Sequence, residues 1–110
     1  MKYFDDNRMR EVRERLEAEI LNWPGVSSRE MMGCLCYLRG KKMLAFLVTD
    51  GIVISKLSDE DQKELEKVGR RIDFKMGSKP IRKPVWAVKS SRDLRLIMPY
   101  LRKSYQKTKT

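Results

Sequence analysis

The chain has 110 residues, no histidine, two cysteines and 36% charged side chains, with a formal net charge of +10. That length suits one domain, residues 1–110, with a core of its own. No apolar run approaches the ~20 residues of a membrane span, and the first ten residues lack the apolar middle of a secretion signal. Two cysteines without histidine fall short of a four-ligand zinc site, so we expect a soluble cytoplasmic protein with no metal and no cofactor.

The charge is uneven. Residues 1–66 carry 11 basic and 13 acidic side chains, whereas residues 67–110 carry 14 and 2. Such asymmetry suits a polyanionic partner, nucleic acid above all. It is equally the mark of a solvated basic face.

In chain order, Met9, Val12, Leu16 and Ile20 recur at three- and four-residue steps and predict a helix from Asp6 to Leu21. Asp5 or Asp6 can cap its start. Trp23-Pro24-Gly25 stops it, and Trp23 either packs the corner against a sheet or serves as a binding aromatic.

Residues 30–57 read as a three-strand meander: Met31–Leu38, Met43–Val48 and Ile52–Leu57. Arg39-Gly40-Lys41-Lys42 is the first turn. Asp50-Gly51 is the second, and suits a type I′ turn with positive φ at both residues. The first two strands are apolar on both faces: Met32, Cys34, Cys36 and Leu38 on one side, Met31, Gly33, Leu35 and Tyr37 on the other. Both faces therefore need a cover. A second copy of the chain is one way to supply it, and a helix on each face is the other. Cys34 and Cys36 read as small buried hydrophobes; as nucleophiles they lack a histidine base.

Ser58 caps a second helix of about ten residues, with Leu65 and Val68 facing inward and Gly69 ending it. Asp59, Glu60 and Asp61 belong to that helix start. Ile72, Phe74 and Met76 alternate as a fourth strand, Gly77–Pro80 form a loop, and Val85–Val88 form a fifth strand. Arg70, Arg71, Lys75, Lys79, Arg82 and Lys83 cluster here as the candidate polyanion-binding group, and edge lysines also guard against sheet aggregation. Ser90 caps a last helix carrying Leu94, Ile97, Met98, Leu101 and Tyr105, with Pro99 expected to kink or restart it. A polar tail follows from Gln106, leaving a core of about residues 6–105. The order is helix, three strands, helix, two strands, helix: an α+β domain with a single, mainly antiparallel sheet.

Several of these residues form a pattern. Arg29-Glu30-Met31-Met32-Gly33-Cys34, the turn from Tyr37 to Gly40, Asp50-Gly51, Phe74, Gly77-Ser78-Lys79-Pro80-Ile81 and Trp86 together resemble the N-terminal domain of the TfoX/Sxy family, over about residues 10–105. Met32 and Cys34 stand where that family usually has Phe and a second Gly. The resemblance implies a secretion-chaperone-like α+β fold. It also implies a regulatory role, since in full-length members this domain type takes part in competence regulation through a transcription activator. Arg29, Met31, Gly33, Tyr37, Gly40, Gly51 and Trp86 are its motif positions and read as structural. We expect a non-enzymatic regulatory or protein-interaction module, partnered by a second copy or a regulatory protein. The alternative is a nucleic-acid-binding domain using residues 67–110.

Overall fold

The structure, a computed structural model, describes residues 1–108 apart from the side chains of Lys79 and Pro80. Helix α1 spans Asp6–Ile20, α2 Asp59–Val68 and α3 Ser91–Lys107. Strands β1 (Val26–Met31), β2 (Cys34–Arg39), β3 (Lys42–Val48) and β4 (Gly51–Ile54) follow α1. The short strands β5 (Arg71–Ile72), β6 (Lys75–Met76), β7 (Lys79–Pro80) and β8 (Val85–Ala87) follow α2. Six of them form one antiparallel sheet in the order β1-β2-β3-β4-β8-β5, while β6 and β7 pair separately as a small arm. The α+β class is as the sequence predicts.

The meander differs from expectation at its start. Val26–Met31 is a strand of its own, paired with β2 from Val26–Arg39 to Met31–Cys34. The expected single strand over 31–38 is broken by a two-residue turn at Met32 and Gly33, with φ of 54° and 77°. Exposed Ser27–Glu30 hid β1, because a polar edge strand has no hydrophobic alternation to read. The β3–β4 turn is also displaced. Val48 pairs with Gly51, so the loop residues are Thr49 and Asp50, and only Asp50 has positive φ, at 66°. Gly51 sits in the strand for a different reason: a Cβ there would lie 2.6 Å from Val85 Cγ1 and 2.8 Å from Ile72 Cδ1. Strand β4 ends at Ile54, short of the expected Leu57.

All three helices lie on one face of the sheet. Met9, Val12, Leu16 and Ile20 of α1, Leu65 of α2, and Leu94, Ile97, Leu101 and Tyr105 of α3 pack with Leu35, Tyr37, Leu47, Ile52 and Trp86. Helices α1 and α3 run the same way. Asp50 lies near both N-terminal ends: its carboxylate pairs with Arg8 of α1 at 2.8 Å, and its carbonyl accepts at 3.0 Å from the N–H of Val88, two residues before the α3 cap Ser90. Their C-terminal ends meet where the rings of Trp23 and Tyr105 lie 5.0 Å apart and Tyr105 Oη donates to Pro24 O at 2.8 Å. Trp23 thus packs against α3. A bulge between Tyr37 and Leu38 brings Leu44 into the same core. The Leu44 carbonyl accepts from Ser55 N–H at 3.0 Å and from the buried Ser104 hydroxyl at 3.3 Å, tying α3 to the sheet. Such pairing is what allows a serine to be fully buried.

Part of the second face is covered by the chain's own later segment and N-terminus rather than by a helix. Cys34, Cys36, Val48, Val53 and Val85 pack under Ile72, Phe74, Met76 and Ile81 of the 72–81 segment and under Tyr3. Residues 72–76 do not make one strand: β5 joins the main sheet and β6 turns away into the arm, with Gly77 at φ 68° in its turn. Tyr3 reaches this face because its backbone donates to Gly33 O at 2.7 Å and accepts from Thr49 N–H at 2.9 Å. Its ring meets Phe74 edge-on at 6.2 Å.

Two helix details also differ. Val68 is 50% exposed, so only Leu65 anchors α2 in the core. Helix α3 is one element through Pro99, without a restart, and continues to Lys107 with Thr108 buried. Pro99 is exposed, so the carbonyl of Arg95, which loses its helical donor there, lies near the solvent side. Lys109 and Thr110, the end of the expected tail, lie outside the described residues.

Candidate functional site

Of the six basic residues singled out in the sequence, five have described side chains, and three of these border a common cavity. Arg70 pairs with Asp93 at 3.5 Å and Arg71 with Glu66 at 3.6 Å, but both arginines are more than half exposed, so these pairs are weak. Lys83 Nζ donates to the Ser55 carbonyl. Lys75 and Arg82 are exposed on and beside the arm, and the Lys79 side chain lies outside the described residues. Arg71, Lys75 and Lys83 do border one shallow cavity of about 200 Å³, floored by Phe74 and Ile81 and shared with Asp73.

The residues that carry the resemblance are spread through the fold. Gly33 and Gly40 hold turns with φ of 77° and 60°. Trp86 is buried between β4 and β5. Met31 is half-buried on the second face, and Arg29 is exposed on the edge strand β1. Tyr37 is fully buried on the helical face and donates its hydroxyl to Glu17 Oε2 at 2.8 Å. Arg13 bonds the other Glu17 oxygen at 3.2 Å and also Asp6. Burial, then the hydrogen bond and the charge of Glu17, push the phenol well above its ordinary pKa.

The two thiols belong to the core. Cys34 and Cys36 are each 1% exposed. Burial first, and the neighbouring Cys36 second, raise Cys34 to about 11. Burial raises Cys36 as well, against a smaller, lowering effect of a hydrogen bond with the Met31 backbone. Thiols shifted in this direction are poor nucleophiles at neutral pH. Among the described residues, no three His, Cys, Asp or Glu side chains are grouped to hold a metal ion, and no helix is long and apolar enough to cross a membrane.

A larger concavity, a groove of about 640 Å³, lies elsewhere among the described residues, between α1 and α3. Trp23, Leu94, Met98 and Pro99 supply its apolar surface, and Arg15, Arg95 and Arg102 supply its rim, with Glu19 and Ser91 completing the lining. The core fixes both walls. Leu16 and Ile20 hold α1 down, and Leu94, Ile97 and Leu101 hold α3, so residues one position around each helix are left to flank the gap. The Arg102 guanidinium lies over the Trp23 ring at 5.2 Å. On the sheet side, Arg39 stacks on Tyr105 at 4.3 Å and donates to its carbonyl at 3.4 Å.

The sequence reading missed this groove. Its signal is a second helical series in α3, Ser91, Arg95, Met98 and Arg102, running beside the apolar stripe. It becomes a site only because α1 happens to lie alongside, which is information from tertiary packing. No family model matches this sequence, and comparisons with curated proteins and with solved structures found no match.

Proposed function

We propose that the chain is a non-enzymatic protein-interaction module of regulatory type that recognises a partner protein through the α1–α3 groove. The observation that carries this reading is the groove itself: an apolar floor and an arginine rim between two helices already fixed by the core. The buried thiols support it, since their environment suits packing rather than nucleophilic chemistry. Free cysteines also suit a reducing, cytoplasmic setting. The resemblance to the TfoX/Sxy N-terminal domain supports the regulatory part. Panning a random peptide library against the immobilised chain tests the reading. Enriched peptides that perturb the backbone amides of residues 15–23 and 91–102 support it; no enrichment, or perturbations confined to other surfaces, would refute it.

Two further surfaces carry secondary readings. Met31, Leu38, Met43 and Phe46 stay half-exposed on the second face, which supports self-association of two copies there. Arg71, Lys75 and Lys83 around the arm cavity support nucleic-acid binding. Six phosphate contacts there would cost about a thousandfold in affinity between 50 and 200 mM salt, which anisotropy titration with oligonucleotides would read.

A further inference from the structure

The groove has a definite electrostatic pattern. Arg95 and Arg102 are both exposed on the α3 wall, and among the described residues neither belongs to an ion pair within 4.0 Å. Seven residues separate them, two helical turns or about 10 Å along the axis. Arg15, on the α1 wall, pairs with Glu11 at 3.5 Å, but both side chains are more than half exposed, so that pair is weak and exchangeable. Glu19 is the one carboxylate in the lining. Between the two α3 arginines lie Met98 and Pro99, with Leu94 and Trp23 beside them.

An apolar strip bracketed by two cations at a two-turn spacing is complementary to a particular partner surface. On an α-helix, carboxylates at positions i and i+7 have the same spacing, and apolar residues at i+3 and i+4 fall between them. We propose, resting on the interaction-module reading, that the α1–α3 groove docks an acidic amphipathic helix of a partner protein, its carboxylates on Arg95 and Arg102 and its apolar residues on Met98, Leu94 and the edge of Trp23. The arginine forks suit carboxylates in two-point geometry. The stacked Arg102 needs little reordering to reach one, because the Trp23 ring already holds it. A nucleic-acid backbone would satisfy the same arginines but leave the apolar floor unmatched. Trp23 offers a base no open stacking face, since it is 7% exposed and lies under Arg102.

The test uses a fluorescein-labelled helical peptide of about four turns with Glu at i and i+7, Leu at i+3 and i+4, and Gln or Ala elsewhere. Anisotropy is expected to show saturable binding. Exchanging both leucines for alanine in the peptide should weaken it about tenfold, as should the double variant R95E/R102E, whose sites are solvent-exposed and whose fold is checked by circular dichroism. The double variant K75E/R82E, with the same change in net charge on the arm, should bind within about twofold of the parent. No saturable binding, or equal losses in the two double variants, overturns the proposal. So does an oligonucleotide that binds more tightly than the peptide and loses its affinity in R95E/R102E. If library panning enriches groove-binding peptides without acidic residues, the acidic-helix proposal fails while the interaction-module reading stands.

Discussion

Gly33 and Gly40 both have positive φ, yet substitution should cost very different amounts. At Gly40 an added Cβ meets nothing within 4 Å, so alanine incurs only the left-handed penalty of about 1–2 kcal/mol. At Gly33 the same Cβ would stand 2.8 Å from Tyr3 Cδ2 and 3.0 Å from Lys2 Cβ. The N-terminal segment cannot simply withdraw, because Tyr3 N–H is bonded to Gly33 O at 2.7 Å and Thr49 N–H to Tyr3 O at 2.9 Å. Overpacking of this kind adds about 1–3 kcal/mol. Gly40→Ala should therefore lose about 1–2 kcal/mol and Gly33→Ala about 2–5 kcal/mol. For a domain of this size that corresponds to Tm drops near 4–8 °C and 8–20 °C, taking about 4 °C per kcal/mol. Paired urea and thermal melts read the difference. Tyr3→Ala in the Gly33→Ala background should return part of the steric cost, relative to Tyr3→Ala alone. Equal losses at the two glycines would show that the contact with Tyr3 contributes nothing and that only backbone strain matters.

Alkaline pH should destabilise the fold. Cys34 titrates near 11 when folded and about 8.5 when unfolded, so the native state holds the proton longer, and stability present below pH 8.5 falls as pH rises toward 11. The loss by pH 10.5 is on the order of 2 kcal/mol from this thiol, and Tyr37, also raised, adds to it above pH 10; urea melts at pH 7.5 and 10.5 check it, and Cys34→Ala should flatten the slope. Iodoacetamide at pH 8 should label the native cysteines at least about a hundredfold more slowly than the unfolded chain, and comparable rates would contradict the burial argument. Tyr37→Phe should cost about 1–2 kcal/mol, because the Glu17 carboxylate loses a buried donor but keeps Arg13; a neutral outcome would mean water replaces the hydroxyl. Light scattering over a wide concentration range should show self-association that Phe46→Glu removes, and a monomer at all concentrations would sink the second-face reading.

What could be read from the sequence follows the physics of each element. The helices were legible because their stripes and caps are local: Asp5, Ser58 and Ser90 each accept a backbone N–H three residues on. The two-sided apolarity of β2 and β3 was legible too, and it correctly demanded two covers. What covers the second face was not, because residues 72–84 carry only two-residue strands and two prolines, and their apolar side chains find the sheet through tertiary contact rather than through periodicity. Strand β1 was lost for the opposite reason. It is an edge with four exposed polar residues, placed by its pairing with β2 and by Gly25 O accepting from Gly40 N–H at 3.1 Å.

The charge asymmetry shows how composition can mislead about location. The excess of basic residues after Lys67 points to the Arg70–Lys83 stretch, where the basic residues are densest in sequence. Folding gives Arg70 and Arg71 exposed ion-pair partners in Asp93 and Glu66, sends Lys83 Nζ to the Ser55 carbonyl, and leaves Lys75 and Arg82 exposed on and beside the arm. Lys103 is likewise taken, by Asp61 at 3.0 Å and Glu64 at 3.5 Å. The groove takes two of the fourteen, Arg95 and Arg102, seven positions apart, which no run or cluster in the sequence marks. Composition therefore places the basic excess in the last two-fifths of the chain but does not mark the two arginines that lie in the groove beside Trp23. Because binding there would depend on apolar contact as well as charge, raising salt from 50 to 300 mM should weaken it by no more than about tenfold. A polyelectrolyte interaction through six or more phosphates would lose about a thousandfold or more over the same range.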